Sequence, residues 1–366
     1  MDGTPSLELE IRRLIAAAGP MPVAQYVSLC LTHPKYGYYV TRDPFGAGGD
    51  FVTAPEVSQM FGELLGLWAA AVWKMMGSPE DVRLVELGPG RGTMMRDALR
   101  AMNVAPAFRK AIVVHLVEVS PVLEKAQRET LNKSGALIHW HRDLSEVPAG
   151  PVIILANEFI DALPVHQMIK HSDGWHERVV ALNAAGNLVF GSSTHPVPNF
   201  ERVLPKNVRA APIGSIYEWR SDNDAFEIGR RVRDNGAALI VDYGHSKSDV
   251  GDTLQALGQH AFVDALAAPG SVDLTAHVDF EALGSAAESM GAAVHGPIDQ
   301  SELLLRLGIE ARADALKAAA LQEKKADIEA AVARLTQGGR TGMGRLFKAM
   351  GLADPKLGPL PAFQSE

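Results

Sequence analysis

Several residue types and patterns are scarce in this sequence, and each scarcity excludes a class of protein. The 366 residues include one cysteine, Cys30, which excludes an internal disulfide and a cysteine-based zinc site. No stretch approaches the ~20 consecutive apolar residues of a membrane-spanning helix. The hydrophobic share of 47% and the charged share of 21% are ordinary for a globular chain, so a disordered or collagen-like protein is also excluded.

Positive charge is also in short supply. Lys and Arg number 35 against 43 Asp and Glu, the formal net charge is −8, and no basic run offsets it. Binding a phosphate backbone needs clustered Lys and Arg side chains, so we expect no nucleic-acid partner. The acidic balance is compatible with a cationic substrate.

The N-terminal segment shows no targeting signal. It reads MDGTPSLELEIRR, without the apolar stretch of a secretory signal and without the Arg-rich, acid-poor composition of a mitochondrial transit peptide. Together with the single cysteine, this predicts a cytoplasmic protein without membrane insertion.

Two common catalytic patterns are missing as well. The 12 histidines form no H-x-x-x-H pair, so we predict no metal. The G-x-S-x-G elbow of the α/β-hydrolases is also missing.

From residue 82 onward the sequence alternates short apolar runs with helical segments. This alternation indicates βαβ units and the parallel sheet of an α/β fold, in which ligands bind at the carboxyl ends of the strands. The predicted strands are 82–87, 112–117, 136–140, 151–156 and 237–241, and helices are predicted over 93–102 and 121–131.

The regions around this core have other patterns. We expect residues 1–80 to form helices and loops that contribute to the pocket, 81–350 to form the core, and 351–366 to be a tail. Insertions are expected around 170–212 and 250–340, the second being substrate-side and helical.

Three further elements are predicted inside this frame. Alternating runs on either side of Asn183-Ala-Ala-Gly186 predict a β-hairpin between 175 and 190. A helix is predicted after Asp161, and a final strand over 343–352.

The sharpest pattern is a glycine turn between the first predicted strand and helix. It reads Leu84-Val-Glu-Leu-Gly-Pro-Gly-Arg-Gly-Thr93. Glycines let the backbone turn tightly and approach a ligand, and the helix N-terminus offers free N–H groups. The G-x-G-x-G spacing differs from the G-x-G-x-x-G of dinucleotide sites, and Pro89 stiffens the turn.

Acidic residues at successive strand ends indicate the ligand of this turn. Glu86 would repel a pyrophosphate and suits a ligand with an ammonium group and no phosphate, namely S-adenosylmethionine. Glu118 can accept from both ribose hydroxyls, and Asp143 from the adenine amino group, with Leu144 or Trp140 against the ring. Each acid alone could instead be a cap or a surface carboxylate. The predicted cofactor-binding residues are Glu86, Gly88, Pro89, Gly90, Gly92, Thr93, Glu118, Val119, Asp143, Leu144 and Asn157.

This arrangement resembles the class I S-adenosylmethionine-dependent methyltransferases, and longer segments narrow the resemblance to the MidA family. The segments that resemble its signatures are Gly49–Glu56, Val85–Thr93, Asn157–Val165, Asp273–Phe280 and Met343–Lys348. The resemblance implies an α/β fold with a Rossmann-like parallel sheet, a helical N-terminal region and an inserted α+β subdomain.

The same resemblance implies a chemistry and a partner. MidA-family proteins are methyltransferases that act as assembly factors of mitochondrial complex I, with bacterial relatives, and the mitochondrial members dimethylate an arginine of a complex I subunit. For this chain the resemblance implies S-adenosylmethionine as the cofactor and a protein substrate, with a complex I subunit as one candidate. The eukaryotic relatives are expected in the mitochondrial matrix. The oligomeric state stays open, a homodimer included.

The fourth predicted strand leads into the residues expected at the reaction. In amino-methylating relatives an Asn or Asp here, followed by an aromatic residue, holds the target nitrogen, so Asn157 and Phe159 are candidates. A guanidinium stays protonated to pH above ~12. Glu158 and Asp161 could hold it bidentately, and helix capping is the alternative role for both acids.

Further candidates surround these residues. His245 could accept a proton in the reaction, with His277 as a second candidate, and Asp242 or Tyr243 could line the pocket. The predicted catalytic residues are therefore Asn157, Glu158, Asp161 and His245, and the predicted substrate or lid residues are Asp50, Thr53, Glu56, Phe159, Tyr243 and His277.

Three other functions stay open at this point. An assembly chaperone without catalytic activity could keep the same cofactor pocket. A small-molecule methyltransferase is a second alternative, although the N-terminal region and the 250–300 insertion favour a protein segment as substrate. An NAD-dependent oxidoreductase is disfavoured by Glu86 and by the glycine spacing.

Overall fold

The computed structural model describes residues 6–42, 52–258, 261–339 and 341–364. These residues form an eight-stranded, a five-stranded and a three-stranded sheet, with helices packed around them. Of the predicted site residues, Asp50 lies outside the described ranges.

The first part of the chain is mostly helical. Its elements are α1 (Leu7–Ala18), β1 (Met21–Pro22), α2 (Val23–Thr32), α3 (Tyr38–Thr41), α4 (Ala54–Val57) and α5 (Gln59–Met75). The Ser6 hydroxyl caps α1 by accepting from the Leu9 N–H, and Leu7, Ile11 and Ile15 are buried on one face of that helix.

The next part contains the first four strands of the main sheet. Its elements are β2 (Val82–Leu87), α6 (Thr93–Ala101), α7 (Pro106–Ala111), β3 (Ile112–Val117), α8 (Pro121–Leu131), β4 (Ile138–His141) and β5 (Val152–Asn157). The predicted ranges of β2, β3 and α8 are confirmed. β4 begins two residues later than predicted, where Ile138 pairs with Val114.

A second sheet follows β5. Its elements and the helices around it are β6 (Val165–His171), β7 (Gly174–Leu182), β8 (Leu188–Ser192), α9 (Lys206–Arg209), β9 (Ile216–Arg220) and α10 (Asn223–Val232). β7 and β8 form the predicted hairpin. The sheet order is β1-β7-β6-β9 with β8 on β7, so a strand from the N-terminal part belongs to it.

The prediction of a helix after Asp161 is wrong, because the chain runs through a loop into β6. The Asp242 carboxylate accepts from the Ile160 and Asp161 N–H groups, at 2.9 and 3.2 Å. The Arg220 guanidinium donates to the carbonyls of Asp161 and Leu163. A continuing helix would pair these two carbonyls internally, and here the Arg220 side chain binds them instead.

The last part completes the main sheet and adds the third one. Its elements are β10 (Gly236–His245), β11 (Gln255–Gly258), β12 (Ala261–Val263), β13 (Asp273–Thr275), β14 (Val278–Asp279), α11 (Phe280–Ser289), β15 (Ala293–Asp299), α12 (Gln300–Arg306), α13 (Ile309–Ala319), α14 (Gln322–Thr336) and β16 (Phe347–Ala353). The final strand, predicted from residue 343, begins at Phe347.

The main sheet has the order β4-β3-β2-β5-β10-β16-β15, with β14 on β10. β4, β3, β2, β5 and β10 run parallel, whereas β16 runs antiparallel to both neighbours, so the sheet is mixed. From β2 the chain adds β3 and then β4 on one side, and it then returns to place β5 on the other side of β2. This reversal leaves a crevice between β2 and β5 at their carboxyl ends.

Both faces of the main sheet are buried. Leu84 and Leu155 face a core that contains α5 and α6, whereas Val85 and Ile154 face a core that contains α10 and α11. This period-two alternation explains why the central strands read as continuous apolar runs. Packing on both faces fixes the position of the sheet, and with it the strand ends and the residues that follow them.

Candidate active site

A cavity of about 560 Å³ lies at the carboxyl ends of β2, β3, β5 and β10. Residues from α2 and α3, the segment 53–56 and the three-stranded sheet complete its wall. Most predicted site residues line it, namely Thr53, Glu56, Glu86, Gly88, Pro89, Gly90, Thr93, Glu118, Val119, Asp143, Leu144, Asn157, Glu158, Phe159, Asp161, Tyr243 and His277. Gly92 and His245 are not part of the wall.

The glycine turn adopts backbone conformations that glycine favours. Gly88, Gly90 and Gly92 have φ values of +59°, +53° and +79°. A Cβ on Gly88 would come within 2.9 Å of the Phe159 ring, whereas one on Gly92 would face α8. Gly92 therefore shapes the turn at the start of α6 without lining the cavity.

Glu86 is a buried carboxylate with an unused acceptor. It is 2% exposed, and its Oε2 has no hydrogen-bond partner. Burial, and then the charge of Glu118, raise the pKa of Glu86 well above its ordinary value. An ammonium group beside this carboxylate would supply both a donor and a compensating charge, so the residue fits the amino acid end of S-adenosylmethionine.

Glu118 is held in place by its neighbours. The Ser120 N–H donates to Oε1 at 2.8 Å, and the Gln127 amide donates to Oε2 at 3.0 Å. Burial raises the pKa of Glu118 to about 7, against the lowering effect of these donors. Each oxygen keeps acceptor capacity, which fits two ribose hydroxyls.

Gln127 is a residue that the sequence analysis missed. Its amide also donates to the Gly90 carbonyl at 2.8 Å, and its Oε1 accepts from the Trp140 indole at 3.0 Å. It therefore ties the glycine turn to the ends of β3 and β4. The signal was a polar residue on the apolar face of α8, between Leu123 and Leu131.

The third acidic candidate, Asp143, lies in a more exposed part of the wall. Its Oδ1 accepts from the Ser145 N–H at 2.8 Å, and hydrogen bonds from Ser145 lower its pKa. Leu144 is buried and lines the cavity beside it. Trp140 does not line it, because its indole binds Gln127 and the Arg128 guanidinium lies 3.8 Å from the ring centre.

Three carboxylates meet on the β5 side of the cavity: Glu158, Asp161 and Asp273. Burial raises the pKa of Glu158 to about 8, and the charges of Asp161 and Asp273 add to the rise. Burial raises the pKa of Asp161 to about 6, against the charge of Arg220. The sequence predicted no separate role for Asp273, because its place in the wall depends on strand pairing that local sequence does not reveal.

Neither Glu158 nor Asp161 caps the helix that was predicted after them. Glu158 has a φ of +51°, and its Oε1 accepts from the Ala54 N–H at 3.2 Å and from the Asn157 amide at 3.1 Å. The Oδ1 atoms of Asn157 and Asp161 are buried without a partner. Two buried acceptor atoms on this side of the cavity therefore lack a donor.

Two charged residues, Asp242 and Arg220, bind the backbone next to these carboxylates. Asp242 does not line the cavity; its carboxylate accepts the N–H groups of Ile160, Asp161 and Tyr243. Arg220 directs its hydrogen bonds to the backbone carbonyls of residues 161, 163, 276 and 277. Arg220 therefore lowers the electrostatic repulsion of the acids without donating to their carboxylates in these bonds.

The histidine candidates differ in position. His277 lines the cavity edge-on to the Tyr243 ring, with 5.5 Å between ring centres, and burial lowers its pKa. His245 is 32% exposed and has its Nε2 3.9 Å from Asp279 Oδ2. His245 is therefore not positioned as a proton acceptor in the cavity.

The segment 53–56 joins both sides of the cavity. The Thr93 hydroxyl donates to Glu56 Oε1 at 2.6 Å, next to the glycine turn. At the other end of α4, the Ala54 N–H binds Glu158. Thr53 and Glu56 are thus parts of the wall, and Glu56 belongs to the cofactor side.

Within residues 6–42, 52–258, 261–339 and 341–364, three or more His, Cys, Asp or Glu side chains do not come together as a possible metal site. None of the helices in this described part is long and apolar enough to cross a membrane.

Comparisons with known proteins point to the same chemistry. Residues 64–298 match the family described as "Putative S-adenosyl-L-methionine-dependent methyltransferase". The mitochondrial protein named protein arginine methyltransferase NDUFAF7 homolog, from Drosophila melanogaster, is 40% identical over 379 residues, covering 95% of this chain and 85% of the relative. The human mitochondrial protein arginine methyltransferase NDUFAF7 is 39% identical over 328 residues, covering 81% of this chain and 72% of the relative.

A solved structure is also similar over nearly the whole chain. It is a protein from Burkholderia thailandensis whose crystal structure contains S-adenosyl-homocysteine. The TM-score is 0.84 at 28% sequence identity, covering 98% of this chain and 94% of that one. These findings confirm the predicted fold class, cofactor and MidA resemblance. The chain belongs to the methyltransferase family whose model it matches, and it is an S-adenosylmethionine-dependent methyltransferase.

Proposed function

We propose that the protein transfers a methyl group to the guanidinium of an arginine in a protein substrate. The main support for this proposal is the group of three carboxylates, Glu158, Asp161 and Asp273, on the wall of the cofactor cavity. Such a group costs free energy unless a cation joins it. A guanidinium offers five donors in a planar fork, which is the geometry that carboxylates bind bidentately.

The hydrogen bonds around the acids support this reading. The Arg220 guanidinium donates to four backbone carbonyls and not to the Asp161 carboxylate. Oδ1 of Asp161 and Oδ1 of Asn157 have no donor. The relatives named protein arginine methyltransferases support the same acceptor.

The chain's own residues divide the task between the two ends of the cavity. Glu86 and Glu118 hold the amino and ribose groups of the cofactor, whose bound form supplies a methyl group on a positively charged sulfur. Asn157 orients the target nitrogen, with Phe159 packed against the glycine turn. Asp161 and Asp273 hold the guanidinium charge away from the attacking nitrogen.

The proton of the attacking nitrogen needs an acceptor. Glu158 suits this role because its raised pKa, about 8, gives its carboxylate more affinity for a proton than an ordinary glutamate has. As the N–C bond forms and the S–C electron pair stays on sulfur, the guanidinium proton passes to the Glu158 carboxylate.

The resemblance to MidA adds a narrower proposal about the partner and the compartment. We propose a subunit of respiratory complex I, or a protein of its assembly, as the substrate, and the cytoplasm as the location. Loss of a methyl-arginine from complex I in a deletion strain would support this substrate. Cell fractionation tests the location. Light scattering of the pure protein distinguishes a monomer from a homodimer.

The acceptor itself is tested by labelling. Pure enzyme and methyl-labelled S-adenosylmethionine are added to lysate from a strain that lacks the protein, and the labelled residue is identified by mass spectrometry. We expect methyl-arginine in one or a few proteins. Glu158→Gln should lose labelling while it still binds S-adenosyl-homocysteine.

Each other outcome has a distinct meaning. Label on lysine, on glutamine or on a small molecule would contradict the arginine proposal. Cofactor binding without any labelling, together with normal assembly of complex I in a strain carrying Glu158→Gln, would favour the chaperone alternative.

A further inference from the structure

The three-stranded sheet β12-β11-β13 has two different faces. Ala256 and Leu274 pair with each other and belong to a core that also contains α1 and α2. Leu257 pairs with Phe262 on one side and with Asp273 on the other, and all three line the cavity. Directly paired residues on antiparallel strands project to the same face, so these three side chains form a row across the sheet.

This row leads from the surface into the acidic group. Phe262 is 74% exposed at the edge strand β12, Leu257 is half-buried, and Asp273 is 4% exposed. The Tyr39 hydroxyl orients Asp273 by donating to its Oδ1 at 2.9 Å. Asp273 lines the same cavity as Glu158 and Asp161, so the inner end of the row lies with the residues that hold the guanidinium in the proposed function.

We propose that this row is the docking surface for the substrate chain and that it selects an arginine with a bulky apolar neighbour. The inference rests on the proposed function. β12 and β13 lie two strand spacings apart, roughly 10 Å. A substrate arginine whose guanidinium binds Asp273 therefore has its backbone over β11 and β12. The residue next to that arginine then contacts Leu257 and Phe262.

Charge and exposure select this occupant over others. The inner end of the row is acidic and takes a cation, whereas the outer end is apolar and exposed. An exposed aromatic side chain that continues into a cavity is typical of an anchor for a partner chain. A small metabolite held at the acids would leave Phe262 uncovered.

Peptide binding tests the proposal directly. Two fluorescein-labelled nine-residue peptides carry a central arginine, flanked on both sides by leucine in one and by serine in the other. Their affinity for the protein loaded with S-adenosyl-homocysteine is measured by anisotropy. We expect the leucine peptide to bind about tenfold tighter, the effect of one aromatic anchor.

Two variants locate this preference. Phe262→Ser should bring the leucine peptide to the affinity of the serine peptide, while calorimetry finds unchanged binding of S-adenosyl-homocysteine. Ile213→Ser replaces an apolar side chain that is 69% exposed and outside the cavity wall, and it should keep the preference.

The results separate this inference from the proposed function. Equal affinity for the two peptides, no binding of either, or an unchanged preference in Phe262→Ser would overturn the docking surface. Self-association of the protein that Phe262→Ser abolishes would assign the row to a second copy and would also overturn it. If the preference holds but labelling finds no methyl-arginine, the proposed function fails and the row remains an apolar peptide site.

Discussion

At the residue scale, Glu86 shows how a binding site opposes stability. Its carboxylate is buried, has a raised pKa and lacks a donor at Oε2. An acid with a raised folded-state pKa loses its proton more easily in the unfolded chain. The free protein is therefore destabilised as pH rises above the ordinary value near 4.5.

Glu86→Gln should accordingly raise stability and weaken cofactor binding. At pH 7.5 we expect Tm of the free protein to rise by on the order of 2 °C, and S-adenosyl-homocysteine to bind about 10- to 100-fold more weakly. The Tm difference should shrink towards about pH 3.5, where the carboxyl is largely protonated in the unfolded chain as well. Thermal scans and calorimetry at both pH values check this, and a lower Tm at pH 7.5 would contradict it.

Glu158 makes a prediction about the pH dependence of the reaction. A proton acceptor must be ionised, and the pKa of Glu158 is raised to about 8. We expect kcat/KM to rise with pH up to about 8 and then to level off. Glu158→Gln should lower kcat by about 10²- to 10⁴-fold and remove this dependence. A Glu158→Gln profile that still rises towards pH 8 would assign the proton to another group.

At the scale of elements, the sequence predicted the central strands and their helices well. β2, β3 and α8 have strong local signals, namely apolar runs, the glycine turn and a Ser-Pro start. The helix predicted after Asp161 did not form, because Arg220, far away in sequence, binds two carbonyls that a helix would pair internally. Gln127 and Asp273 were missed for a related reason, because their roles depend on partners from other elements.

The glycine turn allows a matched test at this scale. Gly88 has a φ of +59°, and a Cβ there would lie 2.9 Å from Phe159. Gly77 has a φ of +84° and nothing within 4 Å of the same position. Gly77→Ala should cost about 1 kcal/mol from backbone strain alone, and Gly88→Ala about 1–3 kcal/mol more.

The cofactor distinguishes the two variants further. Gly88→Ala should also weaken binding of S-adenosyl-homocysteine, because Phe159 must move, whereas Gly77→Ala should not. Denaturant unfolding and calorimetry measure both effects. Equal behaviour of the two variants would show that contact with Phe159 has no influence.

At the scale of the whole molecule, the N-terminal part is connected to later segments. β1 pairs with β7, and Ile11 shares a core with Val180, Ala256 and Leu274. The division into 1–80, 81–350 and 351–366 was drawn from composition and stays a prediction. Composition alone could not reveal a core assembled from segments about 250 residues apart, because nothing local marks which distant strands will pair.

This shared core predicts a long-range effect of a mutation in α1. Ile11→Ala should cost about 2–5 kcal/mol and increase hydrogen exchange in residues 255–258 and 273–275, whose sheet packs on the same core. Ile228→Ala removes a similar buried side chain from α10 and should leave that exchange unchanged. Mass spectrometry of exchanged peptides compares the two, and equal exchange would contradict the coupling.

The alternation in the three-stranded sheet also matters for redesign. Odd and even positions of β11 have separate tasks, because Ala256 packs inward while Gln255 and Leu257 border the cavity. A combinatorial library that randomises positions 255, 257 and 262 would therefore vary recognition while the packing beneath stays intact. In the same way, homologous enzymes could diverge in target choice through a few substitutions on one side of a single layer of backbone.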